Sequence, residues 1–330
     1  MRILSADDVV AALSMEAAIA GMKQTFAALA SGGVEMPLRS ALPASGGRGQ
    51  TSAVPVRART AEGEMFGVRV TASCPQNAER GWPAVQGAVL LLDPATGRPE
   101  ALVEGGALAA IRTGAASALA TDLLARRSSR TLAIFGTGVQ ARTLVEGVCR
   151  VRKIETVRVY GRDPSSTRRF VTALAGCGPV PDKVVIERTP GGALGSADIV
   201  CTATSSSTPV FADRELPPGA HINGVGSVSP STAEIPHRTI ARALLVVDSR
   251  EAALAEAGDV IQAIAQGAIT SWHIHADLGE LVLGRVEGRT SSDQVTIFKS
   301  VGLPVQDTVA ATIALRRVKE KGIGREVRWT

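Results

Sequence analysis

The sequence predicts an α/β protein, with a doubly wound parallel sheet in the middle of the chain and an α+β part beside it. Three observations carry that reading. In Ile134-Phe135-Gly136-Thr137-Gly138-Val139-Gln140-Ala141, an apolar run long enough for one buried strand empties into two glycines, then into a helical pattern at Ala141, Leu144, Val145 and Val148. Short apolar runs alternate with helical segments after it. Before it, Thr51 to Leu92 is strand-like and follows two amphipathic helices.

Taken in order, Ser5-Ala6-Asp7-Asp8 reads as a capping box with an acid in the Glu/Gln position, ahead of Val9, Val10 and Leu13. A second start at Ser14 leads into Met15, Ile19, Met22, Phe26 and Leu29 and stops at Gly32-Gly33. Met36-Pro37-Leu38-Arg39-Ser40 is extended, because proline disfavours helix at the residue before it. Ser45 to Gln50 reads as a flexible loop. Ser52, Val54 and Val56 alternate; Phe66 to Thr71 and Gly87 to Asp93 follow as strands, and Pro94 to Gly97 is a turn. Ala107 to Leu124 is a small-residue-rich helix.

Beyond the glycine turn, strands are expected at Val157–Tyr160, Lys183–Glu187, Ala197–Thr204 and Leu244–Asp248, with another starting at His221 and a helix over Ser165–Ala175. The last segment, Ile297 to Lys319, reads as a helix broken at Gly302-Leu303-Pro304 that returns to the first part of the chain.

Composition narrows the function classes. With 330 residues, 45% apolar, the chain is long enough for two domains with separate cores. Asp7 and Asp8 interrupt any signal-peptide core, and no uncharged run reaches the ~18–20 residues of a membrane span, so no membrane role and a cytoplasmic location are expected. The net charge of +5 is spread along the chain and aromatics are 3%, which argues against nucleic acid. Cys74, Cys149, Cys177 and Cys201 form no C-x-x-C pair, against a zinc site or a disulfide framework. His273 and His275, at i and i+2, would share a strand face, but no third ligand is placed nearby; they and His221 read as structural, and no metal is expected.

A strand, a glycine-tight turn and a helix N-terminus form the Rossmann-type element that sets backbone N–H groups and the positive end of a helix against a pyrophosphate. The residue ending the second strand meets the adenosine ribose. Here that end is Tyr160-Gly161-Arg162-Asp163: glycine stands where an acid would select NAD(H), and Arg162 suits a 2′-phosphate. NADP(H) is favoured, with NAD(H) left open; the plainer reading makes Arg162 a solvated turn residue and Asp163 a helix cap. Arg39, Arg69 and Arg112 stand in distinctive settings, and planar guanidinium groups that converge would hold a carboxylate in bidentate fashion. Each taken alone reads better as a surface arginine.

The chain resembles the ornithine cyclodeaminase/mu-crystallin family. The resemblance runs through Met36-Pro37-Leu38-Arg39, Gly67-Val68-Arg69-Val70, Ala110-Ile111-Arg112-Thr113-Gly114-Ala115-Ala116-Ser117, Gly136-Thr137-Gly138-Val139-Gln140-Ala141, His221-Ile222-Asn223-Gly224-Val225-Gly226 and Phe298-Lys299-Ser300-Val301-Gly302. It implies a homodimer, with residues 1–112 and 300–330 as a substrate-binding and dimerisation domain and 113–299 as the dinucleotide-binding domain. It further implies that Arg39 and Arg112 touch a substrate carboxylate, and that Thr113, the turn Gly136, Thr137, Gly138, Val139 and Gln140, and the loop Val225, Gly226 and Ser227 contact the cofactor. Asp293 and Lys299 are placed near the domain junction by the same resemblance, although capping and surface roles explain them equally.

Two departures bear on chemistry. Arg69 stands where the family usually has a lysine; it anchors an anion but, with a pKa above ~12, is a poor proton donor. Val228 stands where the cyclodeaminases carry the aspartate that ring closure needs. The expectation is an NAD(P)H-dependent reductase of a 2-imino acid, in which positioning of a protonated C=N does most of the work. Arg69 adds a narrower expectation, a dicarboxylic imine. A cyclodeaminase-type lyase and a non-catalytic NADPH- or ligand-binding protein of the mu-crystallin type are the alternatives.

Overall fold

The computed structural model describes residues 1–38, 41–43 and 49–329. Arg39, and Ser45 to Arg48 of the expected loop, lie outside the described residues, while Gln50 opens a strand. The chain divides into two compact units, Met1–Arg112 with Leu303–Thr330, and Thr113–Gly302.

The first stretch runs β1 (Arg2–Leu4), α1 (Ala6–Ala12), α2 (Met15–Ala30), β2 (Val34–Glu35), β3 (Ala41–Pro43), β4 (Gln50–Thr60), β5 (Gly63–Ser73), β6 (Val85–Leu92), β7 (Pro99–Glu104) and α3 (Gly105–Leu124). The second unit continues with β8 (Thr131–Phe135), α4 (Val139–Val151), β9 (Thr156–Tyr160), α5 (Pro164–Leu174), β10 (Val184–Ile186), α6 (Pro190–Leu194), β11 (Ile199–Thr202), β12 (His221–Gly224), α7 (His237–Arg242), β13 (Leu244–Val247), α8 (Arg250–Glu256), α9 (Gly258–Ala265), β14 (Ile274–Asp277), α10 (Leu278–Val282) and β15 (Thr296–Lys299). The chain ends with α11 (Pro304–Lys321) and β16 (Arg325–Glu326).

In the first unit the sheet order is β16-β1-β7-β6-β5-β4-β2, with β3 paired to β4. Alternation along β4 and β5 decides which face is covered: Val54, Val56, Ala58 and Met65 are buried, and α11 packs against α2, β4, β5 and β6. The two-residue period from Met65 through Gly67 puts Arg69 on that same helix-covered face. The opposite face is open and largely apolar: Val70 is 42% and Leu102 37% exposed. Ser5 forms the expected capping box with Asp8. The helix expected from Ala107 begins earlier, because both Glu104 carboxylate oxygens accept from its first turn, Gly106 N–H at 2.6 Å and Ala107 N–H at 2.8 Å.

The second unit is the doubly wound sheet, ordered β10-β9-β8-β11-β12-β15-β13-β14 with every neighbouring pair parallel. Its strands read as continuous apolar runs because helices cover both faces: Leu132, Ile134, Val157, Val159 and Ile199 are fully buried with Leu144, Val145 and Val148 of α4. Trimming one of these, Leu144→Ala for example, costs about 2–5 kcal/mol. By length and composition alone α3 would cross a membrane, yet it is mostly buried inside the protein. Its C-terminal carbonyls are satisfied by the buried Arg152, whose Nη2 donates to Thr121, Asp122 and Ala125 carbonyls.

Three expectations need correcting. Ile297 does not begin a helix: Thr296–Lys299 is strand β15, buried between β12 and β13, and the helix starts at Pro304. A four-residue apolar run lacks the length to show its period, so sequence alone does not separate the two. Only His275 lies on strand β14; His273 sits in the preceding turn, so they share no strand face. The strand expected over Ala197–Thr204 is confined to Ile199–Thr202, its ends serving as loops.

Candidate active site

The second unit holds the glycine turn. Gly136 has φ +104°, a left-handed conformation that disfavours any side chain, and a Cβ there would overlap the Ala203 carbonyl. Gly138 differs: its φ is −84°, and an added Cβ would meet nothing within 4 Å. It is the N-cap of α4 and offers no side-chain hydrogen bond, so the first N–H groups of a thirteen-residue helix face open space. Val139 beside it is 69% exposed. Thr137 lies on the same turn, and the Gln140 Oε1 is buried without a partner among the described residues. This cradle fits a pyrophosphate.

The adenosine end follows from β9. A side chain on Gly161 would overlap the Thr167 hydroxyl and meet the Thr137 methyl at 2.9 Å, so no acid fits there. Arg162 is exposed. Asp163 is the N-cap of α5, accepting from Ser166 N–H at 2.7 Å, and that hydrogen bonding holds its carboxyl below the usual range. Arg169 donates to the Ser165 and Ser166 hydroxyls at 2.9 and 3.0 Å.

On the other side of the sheet order, the loop after β12 is held from below. Val225 N–H donates to Thr202 O at 3.0 Å, Gly226 N–H to Glu234 Oε2 at 2.7 Å, and Ser227 Oγ to Thr232 O at 2.7 Å. Burial pushes the Glu234 carboxyl up, opposed by the Lys299 ammonium and the Thr204 N–H. Lys299 is buried at 1% exposure and pairs with Asp259 at 3.1 Å. Asp293 is not part of this arrangement; it accepts from the Ser291 hydroxyl. Val228 is 46% exposed.

In the first unit, two of the three expected arginines converge. Arg112 Nε lies 3.1 Å from one Asp307 oxygen and Arg69 Nη1 3.0 Å from the other, while Arg112 Nη1 donates to Gln306 Oε1 at 3.2 Å. Gln306 Oε1 also accepts from Leu303 N–H at 2.8 Å, so the first turn of α11 holds the arginines in place. Asp307 and Gln306 are 1% and 0% exposed. Arg112 Nη2 has no partner among the described residues. Thr113, the next residue of α3, is buried in the second unit.

Sequence reading missed Asp307, Gln306, Glu234 and Asp259. Asp307 carried one usable signal, an acid in the first turn after the Pro304 start, but helix-dipole complementarity explains such an acid without any site. Among the described residues no group of three or more His, Cys, Asp or Glu is placed to hold a metal. The His221 ring bonds Thr296 and Asn223, and burial depresses its pKa to about 3.

A parallel sheet with an open glycine cradle at its switch point defines a dinucleotide-binding protein. The chain belongs to the ornithine cyclodeaminase/mu-crystallin family, whose sequence profile matches residues 1–322. It is 40% identical over 295 residues to a Delta(1)-pyrroline-2-carboxylate reductase of Bacillus cereus, covering 89% of each chain. Among solved structures, Thermococcus litoralis Delta(1)-pyrroline-2-carboxylate reductase in complex with NADH and L-proline superposes with TM-score 0.94 at 36% identity, covering 99% of this chain and 100% of that one. An archaeal alanine dehydrogenase dimer with bound NAD superposes with TM-score 0.92 at 28% identity, covering 100% and 99%.

Proposed function

We propose that this chain is an NAD(P)H-dependent reductase of a cyclic 2-imino acid bearing one carboxylate, giving the corresponding cyclic amino acid. The observation that carries the single carboxylate is the sharing of Asp307 by Arg69 and Arg112; the ring is carried over from the likeness to the Delta(1)-pyrroline-2-carboxylate reductases. Asp307 offsets the charge of Arg69, so Arg69 supplies no uncompensated charge for a second substrate carboxylate. This weighs against the dicarboxylic imine that Arg69 alone suggested. Arg39, Arg69 and Arg112 form the proposed anchor, with Arg112 Nη2 as the donor in place to receive the carboxylate.

The bound nicotinamide supplies the hydride. Gly138 and the α4 N-terminus take the pyrophosphate, with Thr113, Thr137, Val139, Gln140, Val225, Gly226 and Ser227 as the remaining proposed contacts. Arg162 favours the 2′-phosphorylated form, because Gly161 leaves no room for the acid that NAD(H) would prefer. A protonated imine carries the proton that the amine product keeps, so hydride addition balances the reaction without a proton from Arg69. Val228 has no group to hold a second amine, against the cyclodeaminase reading.

The unit of residues 1–112 and 303–330 is proposed to bind substrate and to pair with a second copy, whose sheet would cover the open face at Val70 and Leu102; the archaeal alanine dehydrogenase neighbour is a dimer. The four cysteines are unpaired, in keeping with a reducing compartment, and a cytoplasmic location is part of the proposal. The test is oxidation of NADPH and NADH with five- and six-membered cyclic ketimine carboxylates, 2-oxo acids with ammonia or methylamine, and iminosuccinate. Rapid turnover of a cyclic monocarboxylate is expected. Tight cofactor binding with no turnover on the whole panel would instead support a ligand-binding protein.

A further inference from the structure

Three charged side chains of the second unit are buried together and have no part in binding by themselves: Glu234 at 0%, Lys299 at 1% and Asp259 at 2% exposure. Two carboxylates and one ammonium out of water carry a desolvation penalty that well-packed apolar residues would avoid. Their hydrogen bonds show where that arrangement acts. Glu234 Oε1 accepts from Thr204 N–H; Oε2 accepts from the Thr202 hydroxyl at 2.9 Å and Gly226 N–H at 2.7 Å. One carboxylate therefore ties the loop after β11 to the loop after β12. Gly226 must be glycine for this, since a Cβ would overlap both Thr204 O and the Glu234 carboxylate.

Asp259 fixes Glu234 in turn. Its Oδ1 accepts from Glu234 N–H at 2.6 Å and Ile235 N–H at 3.0 Å, and its Oδ2 pairs with Lys299 at 3.1 Å. Lys299 Nζ reaches Gly224 O at 3.3 Å, and Asp259 N–H donates to Ser227 Oγ at 3.2 Å. The chain of contacts starts at β15 and ends on the backbone of Gly224 to Ser227.

The sheet order gives this loop pair its place. With β8 at the switch point, β9 and β10 flank one nucleotide half and β11, β12 and β15 the other. Arg162 and Gly161 assign the adenosine to the β9 side, which leaves the nicotinamide to the loops that Glu234 joins. Resting on the cofactor reading above, we propose that Glu234, Asp259 and Lys299 are positioning residues that fix the β11 and β12 loops around the nicotinamide half of the cofactor and leave the adenosine half untouched.

The experiment separates the two halves. Glu234→Gln keeps the shape but turns one acceptor into a donor facing an N–H or hydroxyl. Titration calorimetry is run on wild type and variant with NADPH and NADH, and with ADP-ribose and 2′-phospho-ADP-ribose as fragments that lack nicotinamide. Expected is a weakening of the whole cofactor by about tenfold, with the ADP-ribose fragments within about twofold of wild type, and a fall in kcat larger than the rise in KM for the imine. Asp259→Asn, which alters the acceptor that fixes Glu234 and serves if Glu234→Gln does not fold, should weaken NADPH about threefold with the same fragment pattern. Equal losses for fragment and whole cofactor, or a lowered Tm with unchanged affinities, would overturn the proposal. Wild-type protein that binds neither would overturn the cofactor reading, and this one with it.

Discussion

The two buried ion clusters of this protein are built from the same kinds of groups and end differently. In the second unit, the Glu234 carboxylate takes three donors, and Asp259 and Lys299 are engaged with each other and with backbone. In the first, Asp307 is shared by two arginines, and Arg112 keeps Nη2 without a partner among the described residues. The Glu234 cluster is tied to the backbone of two loops, through Thr204, Gly224 and Gly226. The Asp307 cluster keeps a donor and a surplus charge, which is what the proposed anchor for a substrate carboxylate needs.

Substitutions in each cluster test that contrast. The largest effect is expected from Arg112→Met, which removes the spare donor and leaves Asp307 with one arginine: kcat/KM for the imine should fall about 100–1000-fold with NADPH affinity unchanged. An equal loss of NADPH affinity would show that Arg112 is not an anchor confined to the substrate. Asp307→Asn raises the charge of the anchor by one; kcat/KM for a cyclic monocarboxylate should fall about tenfold, while the dicarboxylate-to-monocarboxylate ratio rises by a similar factor. A ratio that stays put would sink the charge-matching argument for the substrate.

The glycine turn gives a paired test. Gly138→Ala should fold as wild type, since its Cβ meets nothing, and weaken the cofactor about tenfold by standing where the pyrophosphate would lie; Gly136→Ala should lower Tm instead, because its backbone is left-handed and its Cβ overlaps Ala203 O. Smaller still, Arg162→Ala should weaken NADPH about three- to tenfold and leave NADH alone, as read by cofactor titration.

The smallest effect is on stability. Burial lowers His221 from 6.5 to about 3, so the native state binds fewer protons than the unfolded chain between those values. The stability from a neutral ring is therefore present above pH 6.5 and declines as pH falls, by up to about 1.4 kcal/mol per unit. Urea unfolding of wild type and His221→Gln at pH 7 and pH 5.5 should show a steeper loss in wild type; parallel lines would exclude the histidine as the cause.

Much of the second unit was legible because its signals are local. A strand, two glycines and an amphipathic helix lie within residues 131–151, and Gly161-Arg162 follows one strand later. The anchor was legible only in part. Strand parity puts Arg69 under α11, but that Asp307 meets both Arg69 and Arg112 depends on packing between segments far apart in the chain; Arg112 and Asp307 are 195 residues apart. Glu234 in a loop and Asp259 in the first turn of α9 gave no signal, since a lone acid in either setting has ordinary solvated or helix-dipole explanations. Ile297-Phe298 misled because a short run buried on both faces looks alike as helix or strand.

Where α3 crosses α4, a Cβ at Gly114 would overlap the Thr143 carbonyl, and one at Gly147 would meet the Gly114 carbonyl at 2.6 Å. Helix α4 begins at Val139, eight residues before Gly147 and so about 12 Å away along a stiff rod. A single methyl at that crossing would act as a wedge under a lever, tilting the phosphate-facing tip while touching no ligand. Weakened cofactor affinity in Gly147→Ala would then be control exerted from the α3–α4 crossing, at a distance from the glycine turn it governs.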